Sequence, residues 1–532
     1  MAYYRDLREH MGALEALGKL VRIGRRINKD TELMPLVRCQ FRGLPEEERK
    51  AFLFQNVTDV KGRSYRMPVL VASHAASTAV YALGMMCEPH EIQAKLTRAQ
   101  LHPIEPQMVE SGPIHEEVHA GASLLEHGGL DEIPVPISTP GFDNAPYFTC
   151  ANFVTKDPET GVRNIGNYRA MIKSQTRTGA QAGVGQHMAV HWEKCRSLGI
   201  PLQAAVVIGA SPNIGYVSGA KFAYGVDEYA VAGAIAGAPV DLVKCKTVDL
   251  EVPAGAELVI EGEILTDVLE REAPFGEFTG YMGEEYNAYV FNVTAITHRK
   301  DAMYNAFLSQ FTPSESSKLK SLGCAAGWYK YLRHDKGIPG IVSCAFPDNP
   351  GGAGQAFLVI QMKKHHPSDS WTALHAAVGN VANWPRVFVA VDEDIDPWDA
   401  DAVNWAISFR VEPQRDVRIV KGKAYTLDQA GAPPMSPLAD RVYPPPDGGS
   451  ALLIDATMSW PYRPVSLPKR EFMDRALEIW EEEGLPKLNL RAPWFGYSLG
   501  WWTEENEQEA QIALRGEHYQ TGEKLAQRRI KL

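Results

Sequence analysis

Tyr289-Val-Phe-Asn-Val-Thr-Ala-Ile296 decides the fold class, because its β-branched and aromatic residues fit a pleated, half-buried surface. Phe148-Thr-Cys-Ala-Asn-Phe-Val154, Leu202-Gln-Ala-Ala-Val-Val-Ile208, Leu242-Val-Lys-Cys245 and Ala256-Glu-Leu-Val-Ile-Glu261 share that character. Helices are predicted between them at residues 186–198 and 227–235. Many short strands with Gly/Pro turns between about 145 and 310 predict a small barrel or sandwich.

Just upstream of the deciding strand stands Arg271-Glu-Ala-Pro-Phe-Gly-Glu-Phe-Thr-Gly-Tyr-Met-Gly283, with two carboxylates five residues apart, Glu272 and Glu277. Pro274 biases Ala273 away from the helical region and Gly276 permits a tight bend, so both acids can face one cavity. Asn164-Ile-Gly-Asn-Tyr-Arg169 adds an amide and a guanidinium. Two carboxylates with one arginine can hold two pKa values, one acid ionised by the arginine and the other free to carry a proton. Taken alone, such a pair is most often a solvated turn.

Further out, Leu7, Met11, Leu14, Leu17 and Leu20 form one apolar stripe, so residues 3–23 predict an amphipathic helix weakened at Gly18, with Leu20-Val-Arg-Ile23 then strand-like. Short strands follow at 51–54 and 68–71, and a helix from about His74 to Met86. The proline-rich segment 105–142, with Pro134, Pro136 and Pro140, reads as a linker. After about Thr312 the pattern becomes α/β, with strands at 340–346, 357–362 and 387–391 and helices at 371–381 and 399–409. The tail from Lys469 carries charged helices at 471–483 and 504–527. The division expected is 1–115, 116–312 and 313–532 within a mixed α/β (α+β) protein.

At 532 residues and 45% hydrophobic, the chain can bury a large core. A formal charge of −11 with no basic run argues against nucleic acid or an anionic membrane surface as partner. No signal-like or membrane-spanning stretch is found, and seven scattered cysteines without C-x-x-C spacing fit a reducing cytoplasm. His187-Met-Ala-Val-His191 lacks the glutamate of a zinc-protease helix, so His191 is expected to face solvent or pack locally. Ser317-Lys-Leu-Lys320 matches S-x-x-K without partner motifs, and Gly351-Gly-Ala-Gly354 lacks a dinucleotide-binding helix entry.

The opening Tyr4–Ile23, Asn164–Arg169, Gln186-His187, Gly225-Val-Asp-Glu228, Glu261-Gly-Glu263, Glu272–Gly283 and Val391-Asp-Glu-Asp-Ile-Asp-Pro397 together resemble the UbiD family of reversible decarboxylases, in its order and spacing. The late segment Gly449–Thr457, where members often carry lysine, and Trp460-Pro-Tyr-Arg463 depart from the usual pattern. The resemblance implies an N-terminal α/β domain, a central flavin-binding split β-barrel and a C-terminal α/β oligomerisation domain with a helical tail. It implies prenylated FMN delivered by a flavin prenyltransferase, with manganese (or another divalent ion such as iron or magnesium) and potassium.

By that resemblance Asn164, His187 and Glu228 hold the divalent ion, a donor set that suits six-coordinate manganese better than tetrahedral zinc. Potassium falls to carbonyls near Ile165, Val217, Ser218 and Ala220, with Glu228 shared. Asn167, Tyr168, Arg169, Gln186, His187, Ser218, Gly219, Ala220 and Lys221 line the cofactor, the last four on a small-residue loop over residues 218–225 that approaches phosphate. Arg169 orients the flavin and keeps Glu272 ionised, and Glu277 shuttles the proton, its pKa raised by Phe275, Phe278 or the 433–438 loop.

The implied reaction is non-oxidative decarboxylation of an aromatic or α,β-unsaturated acid. An aromatic acyl-CoA (phthaloyl-CoA-like) decarboxylase, a phenylphosphate-carboxylase-like subunit and a non-catalytic flavin-binding assembly subunit are the alternatives. A homo-oligomer, dimer or hexamer, in the cytoplasm is expected.

Overall fold

In the computed structural model, which describes residues 2–183, 185–283, 285–348, 356–380, 385–423, 449–488, 490–491, 500–528 and 530, the strand Tyr286–His298 lies in the middle of an antiparallel sheet. Its neighbours run in the order Tyr147–Phe148, Ala170–Ser174, Arg177–Ala180, Tyr286–His298, Leu258–Ile264, Leu202–Ile208, Asn152–Lys156 and Arg163–Asn167. Connectivity forces this sheet to curl. Tyr147–Phe148 and Asn152–Lys156 stand six strand spacings apart, about 29 Å if flat, yet only Thr149, Cys150 and Ala151 join them. Four residue steps reach about 14 Å at most. The strand ends therefore meet in a barrel-like closure. At the seam the Asn167 amide accepts from Ala151 N–H at 2.9 Å and donates to the Thr149 carbonyl at 3.1 Å.

The run Leu202–Ile208 reads as continuously apolar because both of its faces are covered. Ala204, Val206 and Ile208 face a core shared with Phe54, Val69 and Tyr304. Ala205 and Val207 face another core built from Tyr216, Val217, Tyr229 and Val231, on the helices Pro212–Gly219 and Glu228–Ala236.

The first helix is Leu7–Ala16, capped by Asp6 and closed where Gly18 takes φ +64°. Leu17 is exposed, so the apolar stripe expected through Leu20 stops early; Leu20–Asn28 is a strand, parallel to Ala51–Thr58. The proline-rich 105–142 segment is packed structure and not a linker. Glu117–Ala120 adds to the barrel beside Tyr286–His298, Gln107–Met108 pairs with Asp241–Lys244, and Ile114, Leu130, Ile133 and Val135 are buried. The chain also returns, since Tyr304–Ala306 pairs with Val69–Val71 in the N-terminal sheet.

The C-terminal sheet runs Ile341–Ala345, Phe357–Met362, Val387–Asp392, Gly449–Ala456 and Val417–Lys423, mixed parallel and antiparallel. Helices Asp369–Val378 and Ala400–Arg410 cover it, both near their expected positions. The buried helix Glu315–Lys330, which the sequence pattern did not mark, joins this unit to the barrel side. Among the described residues the tail holds three helices, Arg470–Glu482, Glu504–Leu514 and Tyr519–Ala526, none with a buried residue; Gly516 at φ +77° divides the last two. No helix among the described residues is long and apolar enough to cross a membrane. The 351–354 glycines and the 433–438 loop lie outside the described residues.

Candidate active site

Arg169 sits where the seam strand Arg163–Asn167 hands over to Ala170–Ser174, and its guanidinium gathers three acidic or phenolic groups. Nε donates to Glu272 Oε1 at 3.3 Å and to the Tyr286 hydroxyl oxygen at 3.1 Å. Nη1 donates to Glu277 Oε1, and Nη2 to the same Tyr286 oxygen. Glu272 and Tyr286 are directly paired across the short ladder Glu270–Glu272, so the tyrosine hydroxyl donates to Glu272 Oε1 at 2.9 Å. The guanidinium lies between the Phe275 and Tyr286 rings, 5.3 and 5.2 Å from their centroids.

Glu277 arrives on a small hairpin. Gly276 bridges Met282, Gly283 N–H donates to the Phe275 carbonyl at 2.7 Å, and the turn closes at Gly280, φ +90°. The bend is thus at Gly280 and not at Gly276. Gly276 is required for a different reason: a Cβ there would stand 2.6 Å from Gln310 Cγ. Asp143, absent from the sequence reading, accepts from Gly276 N–H at 3.3 Å and is pushed by burial up to about 6. Its Gly-Phe-Asp-Asn setting is an ordinary turn and gave no signal.

Burial raises the Glu272 carboxyl above the usual carboxylate range, and the opposing pull of Arg169 and Tyr286 is smaller. Arg169 and Tyr286 thus favour the ionised form of Glu272, while burial of the whole side chain opposes it. Glu272 Oε2 has no hydrogen-bond partner among the described residues, and Gly179 clears its space, since a Cβ there would stand 2.2 Å away. Phe275 packs on Arg169 and on Tyr147, centroids 4.5 Å apart. Tyr147 in turn donates to the Ala273 carbonyl at 2.6 Å, fixing the hairpin's root.

Asn164, His187 and Glu228 also converge. His187 Nδ1 lies 3.0 Å from Asn164 Oδ1 and 3.8 Å from Glu228 Oε1. Glu228 is buried, which raises its carboxyl, and its Oε2 accepts Ile165 N–H at 2.9 Å. His187 opens the helix His187–Leu198 after Gln186, whose Oε1 accepts Gly183 N–H at 2.5 Å. His191 does not face solvent: it is buried, paired with Thr155 Oγ1 at 2.9 Å, and held down at about 4 by desolvation. Tyr168 folds its ring back over Gly166, where a Cβ would meet it at 2.3 Å.

Ser218 and Gly219 are not loop residues. They end the buried helix Pro212–Gly219, which packs against the Arg163–Asn167 strand, and Ala220 is its C-cap. Ser218 Oγ donates to Asn152 Oδ1 at 2.7 Å, the Val217 carbonyl accepts Ala220 N–H at 3.2 Å, and a Cβ at Gly219 would strike Leu319. Burial lowers Lys221 to about 8, with Lys320 repelling it; Lys320 is itself lowered by burial and by Arg169.

Residues 107–310 match the 3-octaprenyl-4-hydroxybenzoate carboxy-lyase Rift-related domain, and residues 322–456 match the C-terminal domain of the same carboxy-lyase. A protein of Aquifex aeolicus is 30% identical over 91% of this chain and 99% of its own length. The evolved dimeric form of the UbiD-class enzyme HmfF from Pelotomaculum thermopropionicum, solved in complex with prFMN, is 29% identical with a TM-score of 0.72, covering 86% of this chain and 95% of that one. The closed form of Sedimentibacter hydroxybenzoicus vanillic acid decarboxylase is 26% identical with a TM-score of 0.75, covering 90% of this chain and 100% of that one. Matches spanning more than half of the chain in both domains, over a shared mixed α/β fold, establish that this chain belongs to the UbiD family of carboxy-lyases.

Proposed function

We propose that this chain is a prenylated-FMN-dependent, reversible, non-oxidative decarboxylase of a small aromatic carboxylic acid. The observation that carries the reading is one guanidinium, Arg169, bonded at once to Glu272, Glu277 and Tyr286 in a mostly buried site. The prFMN in the HmfF structure and the vanillic acid decarboxylase likeness support the cofactor and substrate class. The residues present fit the cofactor: Lys221, just past the buried helix Pro212–Gly219, offers a cation for its phosphate, and Asn164, His187 and Glu228 offer amide, imidazole and carboxylate donors for a manganese-type ion. Potassium would take carbonyls of Ile165, Val217, Ser218 and Ala220 with Glu228. When bound, prenylated FMN supplies the electron sink for the ring carbon that loses carbon dioxide.

Arg169, clamped between Phe275 and Tyr286, orients the reacting face and keeps Glu277 within reach. Glu277 Oε2 delivers the proton to the ring carbon, while Phe275 and Tyr147 exclude water behind the hairpin. A second reading makes Glu272 the donor. Its Oε2 is buried without a hydrogen-bond partner among the described residues, and burial pushes the carboxyl upward, which favours the protonated form.

The chain is further read as units of 1–115, 116–312 and 313–532, supported by the two family matches, and as a cytoplasmic homo-oligomer, supported by the unburied tail helices. Protein co-produced with a flavin prenyltransferase and offered decarboxylated aromatic products in deuterated buffer tests the chemistry. Glu277→Gln should keep flavin and lose exchange. Loss in Glu272→Gln with wild-type exchange in Glu277→Gln moves the donor to Glu272, and full exchange in both variants refutes the reading.

A further inference from the structure

The strand that presents Tyr286 to Arg169 ends at His298, roughly 40 Å away at the usual rise per residue. There it meets two groups that the reaction does not use. In the ladder with Glu117–Ala120, His119 pairs with Ile296 and Glu117 with His298. His119 and His298 are therefore diagonal neighbours on one face, within reach of long side chains. Their rings stand 5.0 Å apart at 80°. Glu132, from the turn Gly129–Glu132, places Oε1 3.1 Å from His119 Nδ1. One donor atom from each of His119, Glu132 and His298 lies within 4.8 Å of the others.

A second observation concerns His298 alone. Its Nδ1 lies 2.6 Å from the Arg299 carbonyl, which can only accept, so Nδ1 carries the hydrogen and Nε2 the lone pair. That Nε2 is buried without a hydrogen-bond partner, on a residue 7% exposed. A histidine whose outer nitrogen is fixed by a backbone carbonyl and whose inner nitrogen is free has the arrangement of a metal ligand.

We propose that His119, Glu132 and His298 bind one zinc-type divalent ion, separate from the Asn164, His187 and Glu228 group. Two imidazole nitrogens and one carboxylate oxygen suit zinc or its neighbours and not the all-oxygen shells of magnesium or calcium. Tetrahedral bonds of 2.0–2.1 Å set ligand atoms about 3.3 Å apart. The His119–Glu132 pair already meets that spacing, and the widest separation closes with side-chain shifts of about 1.5 Å. The exposed His127 ring stacks on His119 at 3.8 Å and marks the open side, where water completes the shell. The ion would clamp the Glu117–Ala120 strand and the Gly129–Glu132 turn to the end of the barrel strand, so binding stabilises the fold.

Untagged, metal-stripped full-length protein titrated with cobalt(II), then zinc, provides the test. His187→Ala protein should still bind one equivalent, with the visible bands of low-coordinate cobalt, and zinc should displace it and raise the melting temperature. Adding His298→Gln or Glu132→Gln should abolish the bands and the zinc-induced rise; the Glu132 variant, on a surface turn, covers a folding failure at His298. The site is refuted if His187→Ala protein binds no stoichiometric cobalt or zinc, or if binding survives in both added variants. Should wild type and His187→Ala bind equally, the active-site metal assignment fails while this one stands.

Discussion

Removing one oxygen, with Tyr286→Phe, tests how Arg169 is held. The hydroxyl accepts from Arg169 Nε and Nη2 and donates to Glu272 Oε1, so its loss breaks the bridge between cation and buried carboxyl. Glu272 then keeps only the 3.3 Å bond from Arg169 Nε. A hydrogen bond to a charged group contributes about 1.5–3 kcal/mol. If that energy fixes Arg169 for reaction, turnover falls by about 10- to 150-fold. Tyr286 is also one of the groups that hold the Glu272 carboxyl down against burial. Without it Glu272 rises further. The pH limb governed by Glu272 should therefore move upward, never downward. Deuterium exchange into product, measured from pH 4 to 9 on reconstituted protein with matched flavin content, reads both effects. Wild-type turnover with an unmoved limb would show that Tyr286 only fills space, and the bridging argument would fall.

Gly179→Ala should cost at least tenfold in exchange while preserving the melting temperature within a few degrees, because its Cβ would displace Glu272 Oε2 from 2.2 Å away; unchanged activity would mean that the carboxylate position is not critical. Acid stability should be lost below neutrality. His10 and His74 are buried neutral, lowered by desolvation to about 4 and about 3, so the unfolded chain binds more protons between there and its own value near 6.5. Each site contributes a slope of about 1.4 kcal/mol per pH unit across that window, with stability rising as pH rises. Urea midpoints from pH 4 to 7 should flatten measurably in His10→Gln, and an identical slope would exclude His10 as a source. Truncation after Leu467 should reduce the assembly seen by light scattering, because the tail helices hold no buried residue in the single chain and the helix Arg470–Glu482 exposes Phe472 and Ile479. An unchanged mass would remove the tail from the interface.

Strands were legible where chemistry and burial agree. Leu202–Ile208 and Phe357–Met362 stand where their β-branched runs put them, and Gln186 and Asp227 flank their helices as read. Pro212–Gly219 was missed because an eight-residue helix with two glycines and an N-terminal proline carries no amphipathic period when every face is buried. The proline-rich 105–142 segment misled in the opposite way, since proline marks irregular backbone and says nothing about whether that backbone packs. Within the site, Glu272 and Glu277 were found as a pair because their spacing is local, and Arg169, a hundred residues away, joined them through the likeness to a known family. Tyr286 was not, because an aromatic residue opening a strand is usually core, and its role depends on a cross-strand register that one sequence does not display.

The seam held by Asn167 bears on how the protein is made. Its strand leaves the ribosome early, together with Asn164 and Arg169, but the strands that carry Glu272 and Tyr286 follow about a hundred residues later. At roughly 5–20 residues per second, that interval lasts about 5–20 seconds. During it the nascent chain displays half a ligand cradle with no opposing wall. Tyr304–Ala306 must then reach back to the N-terminal sheet before that sheet is complete. Loading of a large cofactor therefore waits until the strands that carry Glu272 and Tyr286 have emerged and closed on the first half of the cradle.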